Sequence, residues 1–202
     1  MSKKIRSESA ISLHDLLTDV RRCRVCEDEL PLGANPVLRA SETARILIVG
    51  QAPGTRVHES SIPWNDPSGD RLRAWLAIDN EQFYNEADIA IVPMGFCYPG
   101  RGKSGDLPPS PRCAPLWHER LLAQMPSLAL TLLVGQYAQG YYLPETRRHT
   151  LTERVRSWRE FAPRCFPLPH PSPRNTLWLR RNPWFEQDVV PQLRAAVHQL
   201  LG

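Results

Sequence analysis

The sequence predicts an α/β fold in which helices on both faces sandwich a central, mostly parallel sheet of four strands, a three-layer α/β/α arrangement. Three observations predict it. Short continuous apolar runs, the pattern of strands buried on both faces, alternate with stretches of helical apolar spacing. The chain has 202 residues of which 42% are hydrophobic, enough for one domain with its own core and no need of disulfide staples. No internal repeat or low-complexity linker divides it, so residues 1–202 read as a single domain.

Leu13 to Arg22 carries apolar residues at helical spacing and ends in basic residues, as carboxyl ends of helices favour. Arg45-Ile-Leu-Ile-Val-Gly50 is an apolar run closed by glycine, a buried parallel strand. Pro67 to Ala77 has helical spacing, and Asp88 to Val92 repeats the buried-strand pattern. Cys113 to Gln124 reads as a helix, Leu130 to Gly135 as a third strand, and Tyr137 to Leu143 as another helix. Cys165 to Leu168 is a short apolar segment leading to His170, and Trp184 to Leu200 closes the chain as a helix. In such sheets ligands sit beyond the carboxyl ends of the strands, which is where loops bearing Gln51, Cys97 and His170 emerge.

No apolar run approaches the roughly 20 residues that span a bilayer. The opening segment, residues 1–10, leads into an amphipathic stretch instead of an apolar signal core, so a soluble chain is expected. Net charge is +4, unevenly placed: from Glu145 onward there are ten arginines against five acidic residues. That half suits contact with phosphates, or is simply a solvated helical face. The 20 prolines cluster in short loops, which argues for rigid loops on a scaffold.

Two of those loops have chemical potential. Gly50-Gln-Ala-Pro-Gly54 follows a strand directly, and its glycines let the backbone approach a ligand, although a bland strand-to-helix turn has the same signature. His170-Pro-Ser-Pro-Arg-Asn175 holds a histidine at a strand end with prolines around it. Such an imidazole is suited to stabilising negative charge on a departing group, or else it orders a turn.

Cys23-Arg-Val-Cys26 has metal-type spacing, and Cys97 and Cys113 supply two more thiolates. Four soft ligands suit zinc or an iron–sulfur cluster, with free thiols as the remaining alternative; the pair is not placed as a thioredoxin-like redox motif. Cys165, in an apolar run, reads as a packed core residue.

Gly50-Gln-Ala-Pro-Gly54 after a strand, then Ile62-Pro-Trp64 and Pro67-Ser-Gly69, then the late His170-Pro-Ser-Pro173, resemble in order and spacing the uracil-DNA glycosylase superfamily over about residues 20 to 200. The first region looks most like its iron–sulfur type and the His170 loop like that of the single-strand-selective monofunctional type. The resemblance implies a DNA base-excision-repair N-glycosylase, a hydrolase that flips uracil or another deaminated base out of DNA and cleaves the N-glycosidic bond. It further implies a pocket lined by Gly50, Gln51 and Ala52, with Trp64 stacking on the extruded base and His170 stabilising the leaving anion. Ser172, Pro173, Arg174 and Asn175 would meet the DNA, Arg174 wedging into the gap in the stack. The spacing of Cys23, Cys26, Cys97 and Cys113 resembles the four ligands of a structural 4Fe-4S cluster. DNA as partner, a monomeric state and a cytoplasmic location, nucleoid-associated in a bacterium, complete the expectation.

The chain departs from the family pattern twice. No carboxylate remains in Gly50 to Gly54, where related enzymes position water; Gln51 stands in that loop, and His58 and Glu59 lie a few residues on as substitutes. Pro93 stands where an asparagine often reads uracil, so the base is read by another group, or differs, or the protein binds without cleaving. A non-catalytic damaged-DNA binding module is therefore the rival reading. A phosphate-binding nucleotide site is disfavoured because no lysine follows the glycine loop and Pro53 removes an amide.

Overall fold

The computed structural model describes residues 11–103 and 105–202. The amino-terminal expectation, that residues 1–10 form no apolar signal core, lies outside the described residues. Helix α1 spans Leu13–Arg21 and is capped by Ser12, whose side chain accepts from the Asp15 amide. Strand β1 (Ile46–Val49) follows, then the short helix α2 (Thr55–Ser60), α3 (Pro67–Leu76) and α4 (Asn80–Phe83). Strand β2 (Ile89–Ile91) is followed by a small hairpin of β3 (Arg101–Gly102) and β4 (Gly105–Asp106), and by helix α5 (Cys113–Leu122). Strand β5 (Leu130–Val134), helices α6 (Gln136–Tyr142), α7 (Leu151–Arg156) and α8 (Trp158–Phe161), and strand β6 (Cys165–Leu168) come next. Helix α9 (Thr176–Arg181), a π-helical turn over Phe185–Val189 and helix α10 (Val190–Leu201) complete the chain.

The four long strands form one sheet in the order β2-β1-β5-β6, every pair parallel. The side-chain period of two splits their apolar residues between two cores. Ile46, Ile48, Ile89, Ile91, Leu132 and Leu168 face α3, α7, α8 and α10. Leu47, Val49, Ala90 and Leu133 face α1, α5 and α6. The expected three-layer sandwich is what forms, and the unbroken apolar runs are explained by burial on both faces. Among the described residues no helix is long and apolar enough to cross a membrane.

The arginine-rich half divides by use. Arg154 is buried and donates to the carbonyl and hydroxyl of Thr146. Arg194, on α10, donates to the Trp75 and Ala74 carbonyls near the end of α3. Arg156 and Arg159 lie over the rings of Trp184 and Trp158, while Arg147, Arg148, Arg180 and Arg181 remain exposed. The composition thus mixes packing roles with exposed arginines.

Candidate active site

A pocket of about 590 Å³ opens beyond the carboxyl ends of β1, β5 and β6. Gly50, Gln51 and Ala52 line it from β1, Pro93 from beyond β2, Gly135 from the end of β5, and His170 from beyond β6. The glycine loop and the histidine loop thus meet at one pocket, whereas Cys97, expected on the same rim, lines a separate small pocket.

His170 is held tightly. The Ser172 amide donates to its Nδ1 at 3.2 Å, and Asn175 Nδ2 donates to its carbonyl at 2.8 Å. The Ser172 carbonyl is itself fixed by Arg71 from α3 at 3.1 Å. Burial pushes the His170 pKa down, opposed by the nearby charge of Asp66, so the ring is neutral at neutral pH. With Nδ1 occupied as an acceptor, the single ring proton sits on Nε2. Gly135 lies against His170, and it is its left-handed φ of +87° that favours glycine there, since a β-carbon 3.5 Å from the ring Cδ2 would make ordinary contact. Beneath this corner the buried Gln139 donates to the carbonyls of Leu133 and Leu168, tying β5 to β6.

Trp64 lies beside His170, ring centroids 5.7 Å apart. Its backbone has the left-handed φ of 59°, a conformation that costs a non-glycine residue about 1 kcal/mol or more. Three neighbours hold it there. Arg73 donates to the Trp64 carbonyl at 3.3 Å, the Tyr84 hydroxyl donates to the Pro63 carbonyl at 3.0 Å, and Gly69 leaves space where any β-carbon would meet the Trp64 carbonyl.

Gln51 does not aim its amide at open pocket space; Nε2 donates to the Leu107 carbonyl at 3.1 Å. Pro93 lines the pocket with a ring that has no polar side-chain atom, and its backbone carbonyl accepts from His118 Nε2 at 3.0 Å. His118 is buried and pushed down to about 4 by desolvation, with its Nδ1 2.6 Å from the Tyr142 hydroxyl. His58 is not brought to the pocket: its ring faces Tyr98 at 6.3 Å from α2, and Glu59 is exposed. Ser172, Arg174 and Asn175 line the mouth, and Pro173 is exposed beside them.

Two acidic pocket residues stand outside the sequence-predicted set. Asp66 caps α3 by accepting from the Gly69 amide at 2.9 Å, and Asp106 arrives on the β3–β4 hairpin. Asp66 had a local signal, an Asp-Pro pair opening a helix. Asp106 reaches the pocket by a non-local path that no local pattern announces.

The four cysteines Cys23, Cys26, Cys97 and Cys113 line one small, largely apolar pocket beyond α1 and at the start of α5. Burial pushes the Cys97 thiol up to about 11 and the Cys113 thiol up to about 12, the other thiols adding to both shifts. Ser110 lies 3.1 Å from the Cys26 sulfur. Among the described residues no three His, Cys, Asp or Glu side chains gather closely enough to hold a single metal ion. Cys165 is partly buried against the α1–α5 core, as a packed residue should be.

A family model for the uracil DNA glycosylase superfamily matches residues 39–194, a span that contains all four sheet strands and both pocket loops.

Proposed function

Since the chain belongs to the uracil DNA glycosylase superfamily, we propose that it is a DNA base-excision N-glycosylase that removes uracil or another deaminated base by flipping it into the pocket between the β1 and β6 loops. The observation that carries this reading is the fixed, neutral His170: a backbone amide on Nδ1 leaves an N–H on Nε2 to donate to the base as it departs with the bonding electrons. A preorganised donor in a water-poor site is worth about 100- to 1000-fold in rate. Trp64 supplies a stacking face beside it, and Asp66 and Asp106 supply negative charge that favours a cationic sugar. Ser172, Arg174 and Asn175 at the mouth meet the DNA backbone and the gap left by the flipped nucleotide. Gln51 acts through its backbone and through its tether to Leu107, while His58 has no part in the chemistry.

The pocket wall at Pro93 lacks the amide that would read one pyrimidine edge, so a broader choice of deaminated bases fits better than strict uracil selectivity. The direct test is single-turnover excision from oligonucleotides carrying uracil, hypoxanthine or xanthine, single- and double-stranded. Product that disappears with His170→Ala supports the reading. Binding without product from any of them favours the binding-module alternative, whose motivation is the absence of a carboxylate from Gly50 to Gly54.

We also propose that Cys23, Cys26, Cys97 and Cys113 hold a 4Fe-4S cluster. Four thiols share one small, largely apolar pocket, and four soft ligands are the set such a cluster takes. Such a cluster would tie α1 to the loop after β2 and take no part in hydrolysis. Iron, sulfide and visible charge-transfer absorption in the purified protein would support it; zinc or no metal would overturn it.

A further inference from the structure

Asp66 and Asp106 are the two carboxylates that line the pocket among the described residues, and they are held differently. Asp66 is partly buried, its Oδ1 is engaged at the start of α3, and its charge acts on His170. Asp106 is exposed and forms no ion pair with a described residue. Its Oδ2 stands 3.4 Å from where a β-carbon on Gly54 would be. The hairpin that carries it is fastened to both sides of the pocket. Gln51 donates to the Leu107 carbonyl on one side, and on the other the Arg174 guanidinium packs directly on Gly105, whose φ of +148° and missing side chain make that approach possible. The acid absent from Gly50 to Gly54 is thus delivered to that loop by another part of the chain.

We propose that Asp106 is the general base of the excision reaction, an assignment that rests on the glycosylase reading of the pocket. His170 serves the leaving base from the β6 end of the rim, and Asp106 stands at the β1 end beside Gly54. The groups acting on the departing base and on the water therefore come from different segments of the pocket lining. As the C1′–N bond breaks, its electron pair leaves with the base, and the resulting anion accepts the hydrogen bond from His170 Nε2. The water oxygen bonds to C1′, and one water proton passes to an Asp106 oxygen. That proton then returns through solvent to the departed base, so one water is consumed and a free base and an abasic sugar are formed.

Electrostatics gives this assignment an unusual signature. A carboxylate at the mouth of a DNA-binding pocket repels phosphates, so it opposes binding while it accelerates chemistry. A residue that merely held the hairpin in shape would lower both together.

The experiment compares the intact protein with Asp106→Asn and Asp106→Glu. It reads single-turnover excision of the preferred base, affinity for a duplex with a tetrahydrofuran abasic site at low salt, and the melting temperature. For Asp106→Asn the expected result is excision slowed about 100-fold or more, with affinity equal or tighter and melting unchanged. Asp106→Glu should recover part of the rate. Excision by Asp106→Asn within about 3-fold of the unmodified protein overturns the assignment, as does a loss of affinity that matches the loss of rate. If the unmodified protein binds DNA but excises nothing, the glycosylase reading and this assignment fall together; if it excises and Asp106→Asn keeps pace, the assignment alone falls.

Discussion

The ring of Trp64 covers Gly50: a β-carbon on that glycine would stand 2.7 Å from Trp64 Cζ2. The position of this aromatic wall of the pocket is therefore set by what the first loop lacks. Gly50→Ala should push the ring out of place without unfolding the chain, because the atom in the way is the far end of a side chain. Excision should fall by about 10-fold or more with DNA affinity and melting temperature nearly unchanged. Unchanged excision in a single-turnover assay would show that the ring position is not limiting.

Gly69 predicts the opposite balance. There the obstacle is the Trp64 backbone carbonyl, which cannot swing away because Arg73 holds it. Gly69→Ala should destabilise the fold by ~3 kcal/mol, seen as a melting temperature lower by about 6 to 12 °C. A melting curve that overlays the parent would show that the Trp64 turn has more freedom than this geometry allows.

His170→Ala should cut excision by about 100-fold or more while leaving affinity for an abasic-site duplex in place. Because burial keeps the pKa of His170 below the ordinary value of 6.5, excision by the parent should persist as pH falls through that value. A rate that falls with pH through an apparent pKa at or above 6.5 would mean that burial does not hold the ring below its ordinary value or that another group titrates.

Stability should carry the mark of His118. Its pKa is 6.5 when unfolded and about 4 when folded, so between those values the unfolded chain binds more protons. The contribution is fully present above pH 6.5 and is lost as pH falls toward 4, on the order of 3 kcal/mol in all. Urea melts at pH 7 and pH 5 should show the decline in the parent and a smaller one in His118→Leu. Equal slopes would assign the acid sensitivity to other groups.

Arg180 and Arg181 are exposed just past the His170 loop, at the end of α9. If both touch phosphate, reversing them to glutamate should weaken binding and flatten the plot of log affinity against log salt by about 0.9 for each phosphate no longer neutralised. A parallel plot would remove them from the interface.

The sheet was legible in the sequence because both faces are buried: β1, β2, β5 and β6 appear as apolar runs within a residue or two of their observed ends. The helices facing a core were legible wherever they were long enough to show a period. Helices α2, α4, α7, α8 and α9 were not, since four to six residues give little more than one turn of pattern. The closing helix was read as one piece, whereas a π-helical turn at Phe185–Val189 precedes α10. The same division holds at the site. His170 and Trp64 stand in compact local motifs, and structure brings them together. Asp106 could not be read, because its place beside Gly54 depends on a hairpin laid across the pocket from a distant part of the chain.

The strand order β2-β1-β5-β6 has a final consequence. From β1 the chain first winds outward to β2 and later resumes on the other side at β5, so the connections leaving the middle of the sheet part in opposite directions. The gap between them is a product of the winding itself, present before any side chain is chosen. Catalytic equipment can then be drawn from unrelated segments: an imidazole from one edge, an indole from a helix approach, a carboxylate from a hairpin. A designer seeking a different target base could begin with these pieces, since the gap that receives them is set by the strand order.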